Sequence, residues 1–390
     1  MLNTEHRLFY SDSRKMESLD DESISLVVTS PPYPMIEMWD TTFSGLNKDI
    51  GAALDKGDYY TSFELMHREL ANVWDELYRV LKPGGISCIN IGDATRTFAG
   101  RFQLFSNHSR MLQDFWNKGF DVLPLILWRK QTNAPNKFMG SGMLPAGAYV
   151  TLEHEYILIF RKGPKRSFKK KEERINRQES AIFWEERNNW YSDLWDFKGT
   201  RQNINKLEGR SSIRHRSGAF PFLLPYRLIN MYSVYGDTVL DPFLGTGTTT
   251  LAAITCGRNS VGYEIDTNFT AYLQEKVDEP GLLNELNSYH DTRVYNHMKF
   301  VEEYTLEKGK HPKYTNWYFN FPVITNQETN LRIYPVKQIE KKEEGYYIAT
   351  YGTGKELIET LSQTREDKAE EDKGEGGDEK LNYYQLNIQV

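Results

Sequence analysis

Residues 29–34, Thr-Ser-Pro-Pro-Tyr-Pro, hold the side chains most clearly suited to chemistry. They follow residues 25–28, a short apolar and β-branched run that predicts a buried strand. Because proline fixes φ and disfavours helix in the residue before it, the chain should leave this strand as a stiff, extended turn. A turn of this kind presents a carbonyl, the Ser30 hydroxyl and the Tyr33 ring together, which suits a planar amine such as a nucleobase NH2. A proline-rich turn that merely ends a strand would have the same sequence.

A second segment, residues 239–255, predicts a strand, a glycine-rich turn and a helix of small residues. Residues 260–266 then predict another strand that ends in two acids. A strand–turn–helix–strand unit of this type binds nucleotides, because its glycines allow close backbone approach and its acid accepts from ribose hydroxyls. The turn lacks the third glycine of the dinucleotide fingerprint, which disfavours a dehydrogenase.

Ser-Pro-Pro-Tyr at 30–33 and Asp-Pro-Phe-Leu-Gly-Thr-Gly-Thr-Thr at 241–249 together resemble the amino-group DNA methyltransferases that use S-adenosylmethionine. The order of the two motifs resembles that of the β group of this family. The resemblance covers roughly residues 5–280. It implies an α/β fold, a Rossmann-like methyltransferase mixed sheet with helices on both faces, plus an inserted target-recognition region and a small C-terminal appendage.

The resemblance also implies roles for the catalytic turn, in which Ser30, Pro31, Pro32 and Tyr33 grip a base flipped out of duplex DNA. Tyr33 would stack on that base, and Ser30 and the Pro31 carbonyl would accept hydrogen bonds from its amino group. Serine rather than aspartate at position 30 favours N4 of cytosine as the methyl acceptor. Adenine N6 is the alternative, and a non-catalytic DNA-binding protein on the same fold is a more distant one.

Eight residues are implied to hold the cofactor, S-adenosylmethionine. Asp12 and Phe243 would lie beside its adenine, although Asp is also a favoured helix N-cap. Glu264 would bind its ribose, Asp241 its amino group, and the backbone from Gly245 through Gly247 to Thr248 its carboxylate. Phe220, with a polar group near Ser217, would close over the methionine part.

Composition narrows the remaining possibilities. The chain has 390 residues, a net charge of −6 and two cysteines, so a disulfide framework or a four-ligand zinc site is not expected. His154 lies between two acids, but strand alternation turns them to the opposite face, so no metal site is predicted. The N-terminus does not resemble a signal peptide and no run suits a membrane span, which favours a prokaryotic cytoplasm. Expected partners are double-stranded DNA and a separate restriction endonuclease, and the protein is expected to be a monomer or homodimer.

The predicted organisation has five parts. They are a catalytic half (1–160), a target-recognition region (161–213), a cofactor half (214–284), a small α+β appendage (285–363) and an acidic, disordered tail (364–390). Residues 161–216 hold 16 Lys or Arg against 8 Asp or Glu, with interleaved aromatics, a pattern that indicates DNA phosphate contact. Residues 35–62 predict a long loop that could cover the site.

Two further side chains have open interpretations. Lys130, at a predicted strand end, could contact a phosphate or simply be solvated. Asp93 could line the pocket.

Overall fold

A computed structural model describes residues 2–98, 100–130, 139–140, 142–199 and 220–354. The strands are β1 (Asn3–Phe9), β2 (Ile24–Thr29), β3 (Leu81–Ile91), β4 (Ala94–Phe98), β5 (Arg101–Phe105), β6 (Phe120–Arg129), β7 (Met139–Gly140), β8 (Ala148–Tyr149), β9 (His154–Lys162), β10 (Leu194–Asp196), β11 (Thr238–Asp241), β12 (Asn259–Tyr263), β13 (Tyr314–Thr315), β14 (Pro322–Val323), β15 (Val336–Glu343) and β16 (Tyr346–Tyr351). The helices are α1 (Asp40–Leu46), α2 (Lys48–Asp55), α3 (Tyr59–Val80), α4 (Asn107–Asn117), α5 (Lys171–Glu179), α6 (Trp184–Trp190), α7 (Leu223–Tyr232), α8 (Thr248–Thr255), α9 (Thr270–Val277) and α10 (Leu282–Lys308).

Ten strands form one central sheet in the order β10-β6-β9-β3-β2-β11-β12-β1-β16-β15. The strands from β3 to β1 run parallel to one another, whereas β9 is antiparallel to both of its neighbours and β16 to both of its own. The expected mixed α/β sheet is therefore confirmed. Ligands bind such sheets outside the carboxyl ends of the strands, where the strand order reverses.

Side chains of β2 supply two cores, one on each face of the sheet, and an irregularity between Ile24 and Leu26 shifts the alternation. Ile24 and Val27 belong to the core packed by α3 and α4, and Leu26 and Val28 belong to the core packed by α6, α7 and α8. All six residues of β2 are buried, which explains why residues 26–28 form a continuous apolar run. The helices lie on both faces, as expected.

The long loop expected for residues 35–62 is wrong, because this segment forms α1, α2 and the start of α3. Asn47 caps α2 by accepting from the Asp49 N–H (3.0 Å), and Asp58 caps α3 by accepting from the Thr61 N–H (3.2 Å). A glycine inside a helix costs only about 1 kcal/mol. Burial of Phe43 and Ile50 offsets that cost in α1 and α2.

Residues 285–354 contain most of α10 and the strands β13 to β16, of which the last two belong to the main sheet. Strand β16 pairs with β1, from Asn3 opposite Thr350 to Arg7 opposite Tyr346, and β15 extends the same edge. The hydroxyls of Thr4 and Tyr351 are 2.7 Å apart in the buried seam.

The described part of the basic region, up to residue 199, is mostly exposed but packs three of its aromatic side chains into the body. Phe183, Trp190 and Trp195 are buried, whereas Trp184 and Tyr191 are partly exposed. Residues 200–219, including Ser217, and the expected acidic tail lie outside the described residues.

Candidate active site

A cleft of about 390 Å³ opens at the carboxyl ends of the central strands. Eleven of the twelve residues assigned from sequence line it, namely Asp12, Ser30, Pro31, Pro32, Tyr33, Phe220, Asp241, Phe243, Gly245, Thr248 and Glu264. Gly247, the twelfth, lies between lining residues and begins α8. Two segments roughly 200 residues apart in the chain therefore meet in one cavity.

The two motifs meet because β2 and β11 are parallel neighbours, with Leu26 opposite Val239. Asp241 joins them: it accepts from the Thr29 hydroxyl (2.5 Å) and from the Thr249 hydroxyl (2.6 Å). Burial raises the pKa of Asp241, and these hydrogen bonds partly counter that effect. Asp241 therefore fastens the catalytic turn to the glycine-rich turn, in addition to any ligand contact.

The glycine-rich turn depends on left-handed backbone. Gly247 has φ of +81°, and a Cβ added there would lie 2.8 Å from the Leu273 side chain, so only glycine fits without strain. The Gly245 N–H donates to Glu264 (2.8 Å) and the Gly247 N–H to the Leu244 carbonyl (2.9 Å). Both N–H groups are thus engaged within the protein, and contact between this backbone and a ligand carboxylate stays a prediction.

Glu264 follows β12 directly and closes this side of the cleft. Its carboxylate accepts from the backbone N–H groups of Gly245 and Asp266, each at 2.8 Å. Burial raises the pKa of Glu264, and these two backbone hydrogen bonds oppose the increase. A partly buried carboxylate at the end of this strand is well suited to accept hydrogen bonds from vicinal hydroxyls.

Asp12 lies in a turn and does not cap a helix in the structure. Its carboxylate accepts from the Arg14 guanidinium (2.6 Å), which also pairs with Glu69 (2.5 Å). Burial favours the neutral form of Asp12, but the hydrogen bonds from Arg14 outweigh it and lower the pKa. Asp12 therefore lines the cleft as a paired carboxylate.

The catalytic turn is held by a chain of side-chain hydrogen bonds. The Ser30 hydroxyl donates to the Tyr33 hydroxyl (3.0 Å), which donates to Glu155 (3.0 Å). The Asn90 amide donates to both Tyr33 (2.9 Å) and Glu155 (2.6 Å). Burial, reinforced by the Glu155 charge, raises the pKa of Tyr33 well above its usual value. The tyrosine is thus neutral and fixed in position.

Lys130 pairs with Glu155 and lies over the Trp128 ring, 4.9 Å from its centroid. It lines the cleft, and its side chain is 40% exposed. Lys130 is therefore a partly exposed side chain that is anchored to the catalytic network, and its contact with a phosphate stays a prediction.

The sequence interpretation missed Asn90 and Glu155 as members of the site. An asparagine inside the apolar strand Ile86–Ile91 was the available signal, since a buried polar side chain needs partners. Glu155 lies opposite Trp128 in the β6–β9 register, a pairing that only the fold reveals.

Two other polar side chains considered from sequence, Asp93 and His154, are not among the residues that line the cleft. Asp93 accepts hydrogen bonds from the backbone N–H of His108 and, at 2.9 Å, from the ring of His108.

Within the described residues, no three His, Cys, Asp or Glu side chains are grouped so as to hold a metal ion. Among the described helices, none combines the length and apolarity that crossing a membrane requires.

Comparison with known proteins identifies this arrangement. The family model described as "DNA methylase", for N6 and N4 methyltransferases, matches residues 24–275. The chain belongs to this DNA methylase family. The matched range begins at β2 and includes both motifs, and the order of these motifs is that of the β group.

Two curated relatives are similar to this methylase over most of their length. Type II methyltransferase M.MthZI of Methanothermobacter thermautotrophicus is 49% identical over 93% of this chain and 100% of its own. Type II methyltransferase M.MjaI of Methanocaldococcus jannaschii is 50% identical over 71% of this chain and 92% of its own. The alignment with M.MthZI is long enough to include part of the methylase beyond residue 275.

Among solved structures, the methylase is similar to TTHA0409 of Thermus thermophilus, described as a "Putative DNA Modification Methylase" in complex with S-adenosyl-L-methionine. The TM-score is 0.53 at 30% sequence identity, over 70% of this chain and 92% of that one. This likeness agrees with the α/β methyltransferase fold described above.

Proposed function

We propose that this methylase transfers a methyl group from S-adenosylmethionine to N4 of cytosine at specific sites in duplex DNA. It would act in a prokaryotic cytoplasm as the modification enzyme of a restriction–modification system, with a separate endonuclease as its counterpart. Both relatives are designated Type II methyltransferases, which supports a role in a restriction–modification system. TTHA0409 was solved in complex with S-adenosyl-L-methionine, which supports this choice of cofactor.

The residues at the β11–β12 end of the cleft fit the cofactor. When bound, S-adenosylmethionine supplies a methyl group already activated on a sulfonium, so the protein needs to contribute position and electrostatics. Glu264 is a partly buried carboxylate that can accept from the ribose, and Phe243 offers a ring toward the adenine. Phe220 is buried on the same cleft, where it can cover the methionine part.

The residues at the β2 end receive the base. A base inside a duplex cannot reach the cofactor, so it must be flipped out, which costs a few kcal/mol. Tyr33 then stacks on the base, and Ser30 and the Pro31 carbonyl accept hydrogen bonds from its amino group. These acceptors direct the nitrogen lone pair at the methyl group, and such alignment supplies much of the barrier reduction.

The direction of the hydrogen-bond chain carries this assignment. A carboxylate oxygen only accepts, so the Tyr33 hydroxyl donates to Glu155, and Ser30 donates to Tyr33. The lone pairs of Ser30 are thereby left to accept from the NH2 of the base. A neutral serine, in place of an aspartate, also tolerates the nearby N3 acceptor of cytosine through rotation of its hydroxyl.

The same chain gives the amino proton an exit. As the N–CH3 bond forms and the S–CH3 bond breaks, the nitrogen must release one proton. Ser30 takes that proton and passes its own to Tyr33, which passes its own to Glu155. Both hydroxyls end neutral, and Glu155 ends protonated beside Lys130.

The test is methylation of plasmid DNA by the purified protein with tritiated S-adenosylmethionine, followed by mass spectrometry of the nucleosides. We expect N4-methylcytosine, and we expect Tyr33→Ala to reduce the rate by about 100-fold or more, since it removes stacking and alignment. Tyr60→Ala is the matched control, because Tyr60 is 76% exposed on α3.

Each other outcome contradicts part of the proposal. N6-methyladenine without N4-methylcytosine would overturn the acceptor assignment. Absence of label transfer to DNA carrying mapped sites would favour a non-catalytic DNA-binding protein.

A further inference from the structure

Two segments project from the carboxyl edge of the sheet beside the catalytic turn. One is the β4–β5 hairpin, residues 94–105, and the other is residues 142–152. We name them together the apolar rim. Phe102 of the hairpin stacks on Tyr149 of the other segment, with centroids 4.4 Å apart and planes 20° apart, so the two segments contact each other.

The hairpin is fastened to the catalytic turn at both of its ends. It begins two residues after Gly92, where an added Cβ would lie 3.0 Å from the Tyr33 ring. Just beyond its other end, the Asn107 amide donates to the carbonyls of Pro34 and Gly92, each at 3.0 Å. The position of the hairpin is therefore set by the turn that receives the base.

The second segment, residues 142–152, is also held close to the catalytic turn, through Lys130 and Glu153. The Lys130 N–H donates to the Glu153 carbonyl (2.8 Å), so the chain leaves the sheet at Lys130 and returns at Glu153. The Lys130 side chain then pairs with Glu155, which holds Tyr33. Both projections thus stand at the mouth of the cleft.

The rim exposes an unusual amount of apolar surface. Of the 18 large hydrophobic side chains exposed among the described residues, six lie on it, namely Leu104, Met143, Leu144, Tyr149, Val150 and Leu152. Met143 is 81% exposed and Val150 86%. Clustered exposed apolar side chains mark an interaction site, whereas isolated ones do not.

Charge indicates the kind of partner. The rim, residues 94–105 and 142–152, contains no Asp or Glu, although the whole chain holds 54 of them and has a net charge of −6. It contains two arginines, Arg101 and Arg96, the second of which pairs with Asp40. An acid-free surface with apolar tips is suited to a polyanion that also offers an apolar interior, and duplex DNA has both.

We propose that the apolar rim inserts into the base stack of the DNA and fills the gap that the flipped base leaves. This inference rests on the proposed function, since it needs a base in the Tyr33 pocket. Apolar side chains that wedge between base steps compensate part of the unstacking cost. The rim would therefore lower the cost of flipping and leave the chemistry at Ser30 and Tyr33 unchanged.

The test compares the parent with one variant that carries Met143→Ser, Leu144→Ser and Val150→Ser. Two duplexes are used, both containing a site mapped by sequencing of modified DNA: one fully paired, the other with an abasic position opposite the target base. We expect the variant to methylate the paired duplex about 10- to 100-fold more slowly, because it loses compensation for unstacking. On the abasic duplex the target base has no pairing partner, so flipping costs too little to limit the rate even without the rim. The single-turnover rate of the variant should therefore return to within about threefold of the parent.

Leu306→Ser is the matched control, because Leu306 is 84% exposed on α10, outside the rim. It should leave both rates unchanged. Equal losses on the two duplexes, or no loss on either, would refute insertion of the rim. A parent that methylates neither duplex would instead contradict the proposed function, so the two failures are distinguishable.

Discussion

The two ends of the cleft are constructed in different ways. At the cofactor end, residues 241–264 form one local unit in which backbone N–H groups and short side chains fix the geometry. At the target end, Ser30 and Tyr33 are positioned by Asn90, Lys130 and Glu155, which come from three further segments. The cofactor end is therefore rigid through local backbone conformation, whereas the target end is rigid through long-range side-chain contacts.

The difference predicts where single substitutions act on catalysis and where they act on folding. A substitution at the target end should slow methyl transfer and leave the cofactor end intact. A substitution at the cofactor end should affect stability and cofactor affinity together, since one backbone conformation provides both.

The largest effect is expected from Glu155→Gln, which weakens the hydrogen bonds that fix Tyr33 and removes the partner of Lys130. We expect the single-turnover methylation rate to fall by about 100-fold, a loss typical of small misplacement at a reacting centre. Cofactor affinity, measured by calorimetry, should be unchanged. Glu153→Gln, at a neighbouring exposed carboxylate, is the control and should retain the parent rate. A Glu155→Gln protein with weakened cofactor binding would show that the two ends are not separate.

The next effect is expected from Gly247→Ala, which places a Cβ 2.8 Å from Leu273 at φ of +81°. Left-handed strain alone costs roughly 1–2 kcal/mol, and the contact adds to it, so thermal unfolding should occur at lower temperature. Cofactor affinity should weaken as well. Gly236→Ala separates the two causes, because φ is +77° there but nothing lies within 4 Å of the added Cβ. If Gly247→Ala and Gly236→Ala destabilised the protein equally, the contact with Leu273 would not contribute to the loss of stability.

The smallest effect is a pH dependence at Glu264. Because the folded-state pKa of this carboxyl is raised, the unliganded protein holds the proton more tightly than the unfolded chain does. Its contribution to folding stability is therefore present at low pH and is lost as pH rises through the folded-state pKa. Cofactor affinity should change in the opposite direction, since ribose hydroxyls need the ionised carboxylate as acceptor.

The measurement for Glu264 is a pair of pH titrations, one of unfolding by denaturant and one of cofactor binding, for the parent and Glu264→Gln. The difference between the two proteins isolates this group from Asp241 and Asp266 nearby. Parallel pH dependences of stability and binding would contradict the assignment.

Features with local causes are predictable from sequence. The apolar run at residues 25–28 predicts a strand, and β2 is observed there, because the run and the prolines that follow it are contained in its own sequence. The same holds for the glycine-rich turn into α8. Eleven predicted lining residues meet in the cleft, and their individual roles remain predictions.

Features with distant causes are not predictable in this way. Gly45, Gly51 and Gly57 suggest a loop, but burial of Phe43 and Ile50 against the body stabilises α1 and α2. Glu155 looks like part of a rejected metal site, and only the register of β9 against β6 reveals its contact with Tyr33. In each case the deciding partner lies on a segment that the local pattern does not identify.

The pairing of β1 has a consequence for synthesis of the protein. The strand at residues 3–9 lies between β12, whose residues 259–263 come much later in the chain, and β16, at residues 346–351. Both of its edges therefore stay unpaired on the ribosome until most of the chain has emerged, because contacts so distant in sequence form only after their later partner is made. A nascent chain would thus lack the completed sheet edge next to β12 until nearly all of its residues had been made.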